Sequence, residues 1–222
     1  MNKHIPELSF LDIEKGDSNS INILSDALED HGFFSITEHG LSNELVDKCY
    51  QLSKQFFNLE YETKNKYSSV GSKGARGYTP KGIETAVGEN VPDQKEFWHH
   101  GPVVDDTFDQ KIPKNIIIDE MPEFNKYYDE LYLELHKIGS RVLSVIALSL
   151  DIDKNFFTPW IEKGNSLLRS IHYPPVDSNL NPHRARAHED INLITLLIGA
   201  EEGGLEVLNK DGSWIKVSPS SE

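Results

Sequence analysis

With 222 residues, a formal charge of −14 and a single cysteine, the chain has apolar material for one large mixed or all-β domain or two small ones. The charge is spread without a basic block, which excludes a nucleic-acid backbone as partner, because phosphates call for clustered Lys and Arg. The lone Cys49 excludes an internal disulfide framework, and neither an apolar leader after Met1 nor a membrane-length apolar run is present. A soluble, cytoplasmic protein that handles small molecules is the expectation, and nothing in the sequence sets an oligomeric state.

In chain order, Ile5 to Ile13 reads as a short edge strand, since Pro6 cannot donate to a ladder. A helix follows, capped by Ser18 or Ser20, with Ile21, Leu24 and Leu28 at helical spacing and Gly32 as its stop. Phe33 to Thr37 is aromatic and β-branched and predicts a strand that ends at His39-Gly40. Ser42 is a good N-cap for a second helix, whose Leu45, Cys49, Leu52 and Phe56 form one face. Cys49 therefore reads as a core thiol rather than a nucleophile.

Residues 68–115 are rich in Gly, Pro and polar side chains and predict loops with short strands such as Glu96-Phe97-Trp98, wrapping the core and lining a pocket. From Pro122 a long helix begins. Phe124, Tyr128, Leu131, Leu135, Ile138, Val142 and Val145 alternate steps of four and three, one apolar stripe along about 40 Å. His136 falls off that stripe and reads as solvated. A short helix over 153–162 leads into a β-rich end, where Leu167, Arg169, Ile171 and Tyr173 share a strand face that Pro174-Pro175 terminates. Asn192 to Ile198 reads as a buried strand, and Leu205–Leu208 and Trp214–Val217 flank an Asp211-Gly212 hairpin turn.

Between those strands lies His188-Glu189-Asp190. On an extended chain, residues i and i+2 point the same way, so His188 and Asp190 would supply two of the three ligands of a 2-His-1-carboxylate Fe(II) site. In a chain with nine histidines such a pair is weak evidence by itself; its place between two strands strengthens it. His99 and His100 are adjacent and would face opposite ways on a strand, His172 lies opposite Tyr173, and His183 sits in a loop. Each reads individually as a structural residue. Arg184 and Arg186 read as a solvated loop, with orientation of an anionic substrate as the alternative.

Several stretches together resemble the isopenicillin N synthase-like Fe(II)/2-oxoglutarate-dependent dioxygenases. They are Ile5-Pro6 through Asp12, His31-Gly32-Phe33-Phe34-Ser35-Ile36, Arg76-Gly77-Tyr78-Thr79-Pro80, Asp93-Gln94-Lys95-Glu96-Phe97-Trp98, Leu168 through Pro175, His188 through Leu197, and Gly203-Gly204-Leu205-Glu206-Val207 with Gly212-Ser213-Trp214-Ile215. The resemblance implies an α+β fold: a distorted double-stranded β-helix, or jelly-roll, core with N-terminal helices and one long helix. It implies an N-terminal region over 1–118, connecting helices over 119–163 and a partial core over 164–222. It implies a non-haem oxidoreductase that consumes O2 and the co-substrate 2-oxoglutarate to hydroxylate, desaturate or ring-close a small molecule. His188 and Asp190 are the implied iron ligands, and Tyr173 matches a tyrosine that binds the 2-oxoglutarate carboxylate; Ile171 stands where plant members often carry Asn. The family's distal histidine and its Arg-x-Ser pair come further downstream, and the thirty-two residues after Asp190 contain neither His nor Arg. The expectation is a fragment whose last core strands are missing, which binds Fe(II) weakly and does not turn over. The alternatives are a non-catalytic binding or regulatory module on the same fold, or a third ligand supplied by His99, His100 or His183.

Overall fold

The computed structural model describes residues 4–68, 74–85, 92–175, 185–199 and 203–217. The first elements are β1 (Glu7–Ser9), α1 (Phe10–Glu14), α2 (Ser18–Asp30), β2 (Ser35–Thr37), α3 (Asn43–Phe57) and α4 (Tyr61–Asn65). Then come β3 (Gly77–Thr79), β4 (Glu96–His100), α5 (Phe124–Ser149), α6 (Thr158–Ile161), β5 (Leu168–His172), β6 (Glu206–Leu208) and β7 (Trp214–Lys216). Among the described residues no helix is long and apolar enough to cross a membrane. The chain divides into two compact units, one of residues 1–41, 136–160 and 194–222, the other of residues 42–135 and 161–193.

The first unit is built on β1 and β2, paired in parallel with Leu8 opposite Ile36. The expected strand over 5–13 stops early, because the Ser9 hydroxyl accepts the Asp12 N–H at 3.2 Å and starts α1. Asp17, not Ser18 or Ser20, caps α2, its carboxylate accepting the Ser20 N–H at 2.8 Å. Gly32 ends that helix at φ +72 and donates to Ala27 O at 3.0 Å, a conformation that costs glycine little. Leu8, Phe10, Ile13 and Leu24 pack with Ile138, Val142, Val145 and Ile146 of α5, each fully buried side chain stabilising by about 1.5–3 kcal/mol. Arg141 closes the rim, gripping Glu14 through two hydrogen bonds of 2.7 and 2.5 Å while its guanidinium covers Phe10. The hairpin β6–β7 forms with Gly212 at φ +83, as the Asp-Gly turn predicts.

The stretch 192–198 departs from expectation. It belongs to no ladder among the described residues, and Leu193 and Leu197 are exposed. Instead of being buried throughout it alternates: Ile194 and Leu196 pack on the core of the first unit. The described strands make one three-stranded and two two-stranded sheets, with no closed or curled sheet of the jelly-roll kind. A β-branched run supplies the shape of a strand, but a ladder needs a hydrogen-bonded partner strand.

In the second unit, Ser42 caps α3, its hydroxyl accepting the Leu45 N–H at 3.3 Å, and Leu45, Cys49, Leu52, Phe56 and Phe57 are buried. Cys49 is a core thiol that burial pushes up to about 12. The antiparallel sheet β3–β4–β5 has β4 at its centre, every residue of it buried. Trp98 meets Phe56 edge-on at 5.0 Å and Phe124 at 5.3 Å, and Phe124 stacks on Tyr128 at 4.0 Å. The Tyr128 hydroxyl joins Ser170 of β5 at 2.7 Å and Ser53 of α3 at 2.6 Å, tying helix to sheet. Gly77 opens β3 at φ +79, where a Cβ would fall on the Tyr67 carbonyl and the Ile116 side chain. Trp98 is fully buried, whereas Trp160 and Trp214 of the first unit are 61% and 50% exposed.

Candidate functional site

His188 and Asp190 lie in the irregular segment that follows residue 184 rather than on a strand. They still face each other, His188 Nε2 standing 3.8 Å from Asp190 Oδ1 with the side chains 56% and 50% exposed. His188 Nδ1 is 2.8 Å from the Arg186 carbonyl oxygen. A carbonyl only accepts, so Nδ1 carries a proton, and in the neutral imidazole the lone pair is then on Nε2, on the side of the carboxylate. That is the tautomer a metal ligand needs. Two ligands at about 2.1 Å in neighbouring octahedral positions stand roughly 3 Å apart, so a small rotation of either side chain would bring both onto one ion. The pair thus fits two positions of a three-residue site, and among the described residues no group of three His, Cys, Asp or Glu is arranged to hold a metal.

Tyr173 follows β5 directly and continues its more exposed face, with Arg169 and Ile171. Burial holds its phenol above the ordinary range, so it stays protonated and able to donate. Around it runs a string of charges that sequence reasoning misses. The Arg186 N–H donates to Asp93 Oδ1 at 3.4 Å, and Lys95 reaches Asp93 Oδ2 at 2.9 Å and Glu84 Oε2 at 3.0 Å. Arg169 holds Glu84 at 3.1 and 3.3 Å, lies over the Phe97 ring and donates from Nε to His99 Nε2 at 2.6 Å. Arg169 is thus matched by Glu84 and is not a bare cation beside Tyr173. The spacing of Asp93 and Lys95, two apart on the extended run into β4, was the available signal.

His99 and His100 have partners of their own. His99 accepts from Arg169 on Nε2, so its Nδ1–H donates to Gly74 O at 2.6 Å, and burial pushes its pKa down to about 4. His100 points the other way on β4, as adjacency requires, and pairs with Asp129 at 2.7 Å; burial lowers its pKa as well. Among the described residues neither forms a three-residue metal group with His188 and Asp190. His136 is half-buried on α5 rather than fully solvated. His183 and Arg184 lie outside the described residues.

Behind β5, on the face opposite Tyr173, His172 stacks on Phe57 and donates to Glu96 Oε1 at 2.8 Å. Glu96 Oε2 also receives the Lys64 ammonium at 2.8 Å and the Tyr78 hydroxyl at 2.5 Å. These partners hold Glu96 ionised against the burial that would neutralise it. A cavity of about 360 Å³ opens over this cluster, with Tyr61, Lys64, Tyr78, Glu96 and Pro174 in its wall. Tyr173, His188 and Asp190 do not line it.

Comparison with known proteins gives a consistent picture. Residues 5–120 match the model of the non-haem dioxygenase in morphine synthesis N-terminal family, and residues 164–222 match that of the 2OG-Fe(II) oxygenase superfamily. A 2-oxoglutarate-Fe(II) type oxidoreductase of Aspergillus fumigatus is 31% identical over 85% of this chain and 60% of its own length. Among solved structures, a 2OG-Fe(II) oxygenase family protein from Caulobacter crescentus is 40% identical, with a TM-score of 0.85 over 99% of this chain and 72% of that one. A full-length Neurospora crassa protein solved in complex with alpha-KG is 26% identical, with a TM-score of 0.82 over 98% of this chain and 70% of that one. The chain spans 59% to 66% of the length of the first curated relatives it matches.

Proposed function

Because the chain belongs to the 2OG-Fe(II) oxygenase superfamily, we propose that the whole protein is a non-haem Fe(II)- and 2-oxoglutarate-dependent oxidoreductase acting on a small molecule. The observation that carries this reading is the His188–Asp190 pair, with Nε2 freed by the hydrogen bond at Nδ1. Residues 164–222 are assigned to the partial double-stranded β-helix core, 1–118 to the N-terminal region and 119–163 to the connection between them.

When bound, Fe(II) and 2-oxoglutarate supply the oxidising power that the protein's own side chains lack. The part played by this chain is to bind and orient. His188 Nε2 and the Asp190 carboxylate are the two metal ligands it contributes, a hard and borderline donor set suited to Fe(II). Arg186 O fixes the imidazole tautomer. Tyr173, kept protonated by burial, donates to a carboxylate of 2-oxoglutarate, the compound with which the Neurospora relative was solved. The Arg169–Glu84 pair holds the neighbouring part of the β5 face in place.

Anaerobic Fe(II) titration by calorimetry, with and without 2-oxoglutarate, tests the assignment. His188→Ala and Asp190→Ala should each weaken iron binding by more than the roughly 10–100-fold that loss of an outer partner costs. Tyr173→Phe should leave iron binding intact and weaken 2-oxoglutarate binding by about 10–150-fold, the worth of one hydrogen bond to a charged group. A His188→Ala, Asp190→Ala double variant that still takes up iron as the parent does would sink the reading.

A further inference from the structure

We propose that Asp93, braced by Lys95, is a positioning residue for the His188–Asp190 pair: it fixes the backbone from which both side chains project. The proposal rests on the reading of that pair as metal ligands. Asp93 is only 5% exposed, and its two oxygens have separate tasks. Oδ1 accepts the Arg186 N–H at 3.4 Å, and Oδ2 accepts the Lys95 ammonium at 2.9 Å. The Asp93 N–H itself donates to Glu84 O at 2.9 Å, and Lys95 also bridges to Glu84 Oε2 at 3.0 Å. Asp93 is therefore held at three points, two on its carboxylate and one on its backbone N–H. Lys95 is as buried as Asp93 and keeps two carboxylates together that would otherwise repel each other.

Arg186 is where this support reaches the site. Ala185 and Arg186 are half-buried, whereas residues 187–190 are exposed, so Arg186 is the last covered position before the pair. Its N–H goes to Asp93, and its carbonyl oxygen accepts from His188 Nδ1 at 2.8 Å. A single residue thus links the buried carboxylate to the imidazole. Displacing its N–H also displaces the carbonyl that sets the orientation and tautomer of His188. Outer supports of this kind, carboxylates above all, orient ligand histidines at metal sites.

Amide hydrogen exchange by NMR on the metal-free wild-type chain is the first test. The Arg186 amide should exchange at least about tenfold more slowly than those of Ala187 and Glu189. The second test uses Mn(II), read by its EPR signal, on wild type, Asp93→Asn and Glu84→Gln. In Asp93→Asn the one remaining acceptor oxygen turns to the Lys95 ammonium and the NH2 group faces the Arg186 N–H, so the bond to Arg186 is lost; the variant should raise the Mn(II) Kd about 10–100-fold and speed exchange at 186–190 selectively. Glu84→Gln, which keeps both Asp93 oxygens as acceptors, should shift the Kd by less. An unprotected Arg186 amide overturns the proposal, as does an Asp93→Asn variant that binds Mn(II) like wild type, or one whose exchange rises equally throughout β3–β5. If Asp93→Asn does not fold, the wild-type Arg186 amide still decides. A wild-type chain that takes up no Mn(II) would sink the metal reading of His188 and Asp190, a result separate from Arg186 protection.

Discussion

Two acid–base pairs in the same compact unit stand at opposite limits. Lys64 and Glu96 are 10% and 9% exposed at 2.8 Å, with the Phe57 carbonyl, the Tyr78 hydroxyl and His172 completing their hydrogen bonds. His188 and Asp190 stand 3.8 Å apart and about half exposed, with one nitrogen lone pair and one carboxylate turned to each other. Buried charge has to be answered by the protein itself, because its desolvation cost is otherwise uncompensated. Charge left in water need not be, and stays available to a ligand. Burial behind several partners therefore marks structure, and a histidine and a carboxylate held side by side at about half exposure mark a site.

This contrast predicts opposite behaviour under mutation. Lys64→Met should cost about 3–5 kcal/mol, the usual loss when one member of a buried pair is removed. Urea denaturation would measure it, and a loss below about 1 kcal/mol would mean that Glu96 finds compensation elsewhere. Acid should act next. The unfolded imidazole titrates near 6.5, whereas burial pushes His99 down to about 4, so the unfolded chain takes up the proton first. The contribution of His99 is whole above about pH 6.5 and is lost as pH falls toward about 4, up to ~3 kcal/mol in all. His100, also lowered by burial, adds with the same sign. Denaturation midpoints across that window should fall with pH for the parent and fall less for His99→Gln, whose amide can still accept from Arg169 and donate to Gly74. Equal slopes would remove His99 from the account. The smallest effect belongs to His188→Ala, expected within about 0.5 kcal/mol of the parent in the metal-free chain; a larger loss would show that the exposed pair is part of the fold after all.

The same contrast explains what could be read from sequence. His188 and Asp190 are two residues apart, and local spacing alone places their side chains together even where the segment is irregular. The helices α3 and α5 were legible because caps and apolar stripes are also local: Ser42 and the run from Phe124 to Val145 are found where the pattern puts them. Lys64 and Glu96 are thirty-two residues apart and resemble surface charges until α4 is brought to the sheet. Asp93, Lys95, Glu84 and Arg169 come from three separate stretches and meet only in the folded unit. Asn192 to Ile198 failed in a different way. Its continuous apolar run reads as a strand buried on both faces, but pairing is a property of two segments, and one sequence window holds only one of them. At Ser9 a side chain competing for the backbone turned the strand into a helix one residue later than the apolar pattern could register.

The packing of Trp98 between Phe56 and Phe124 provides a way to watch the second unit alone. The chain has three tryptophans; Trp160 and Trp214 are open to solvent in the first unit, and Trp98 is sealed in the second. Iodide, a charged collisional quencher excluded from apolar interiors, should silence the two exposed indoles and leave a blue-shifted emission from Trp98. That residual light would report the integrity of the β3–β4–β5 sheet without any label, and its loss during denaturation would time the opening of the unit that carries His188 and Asp190.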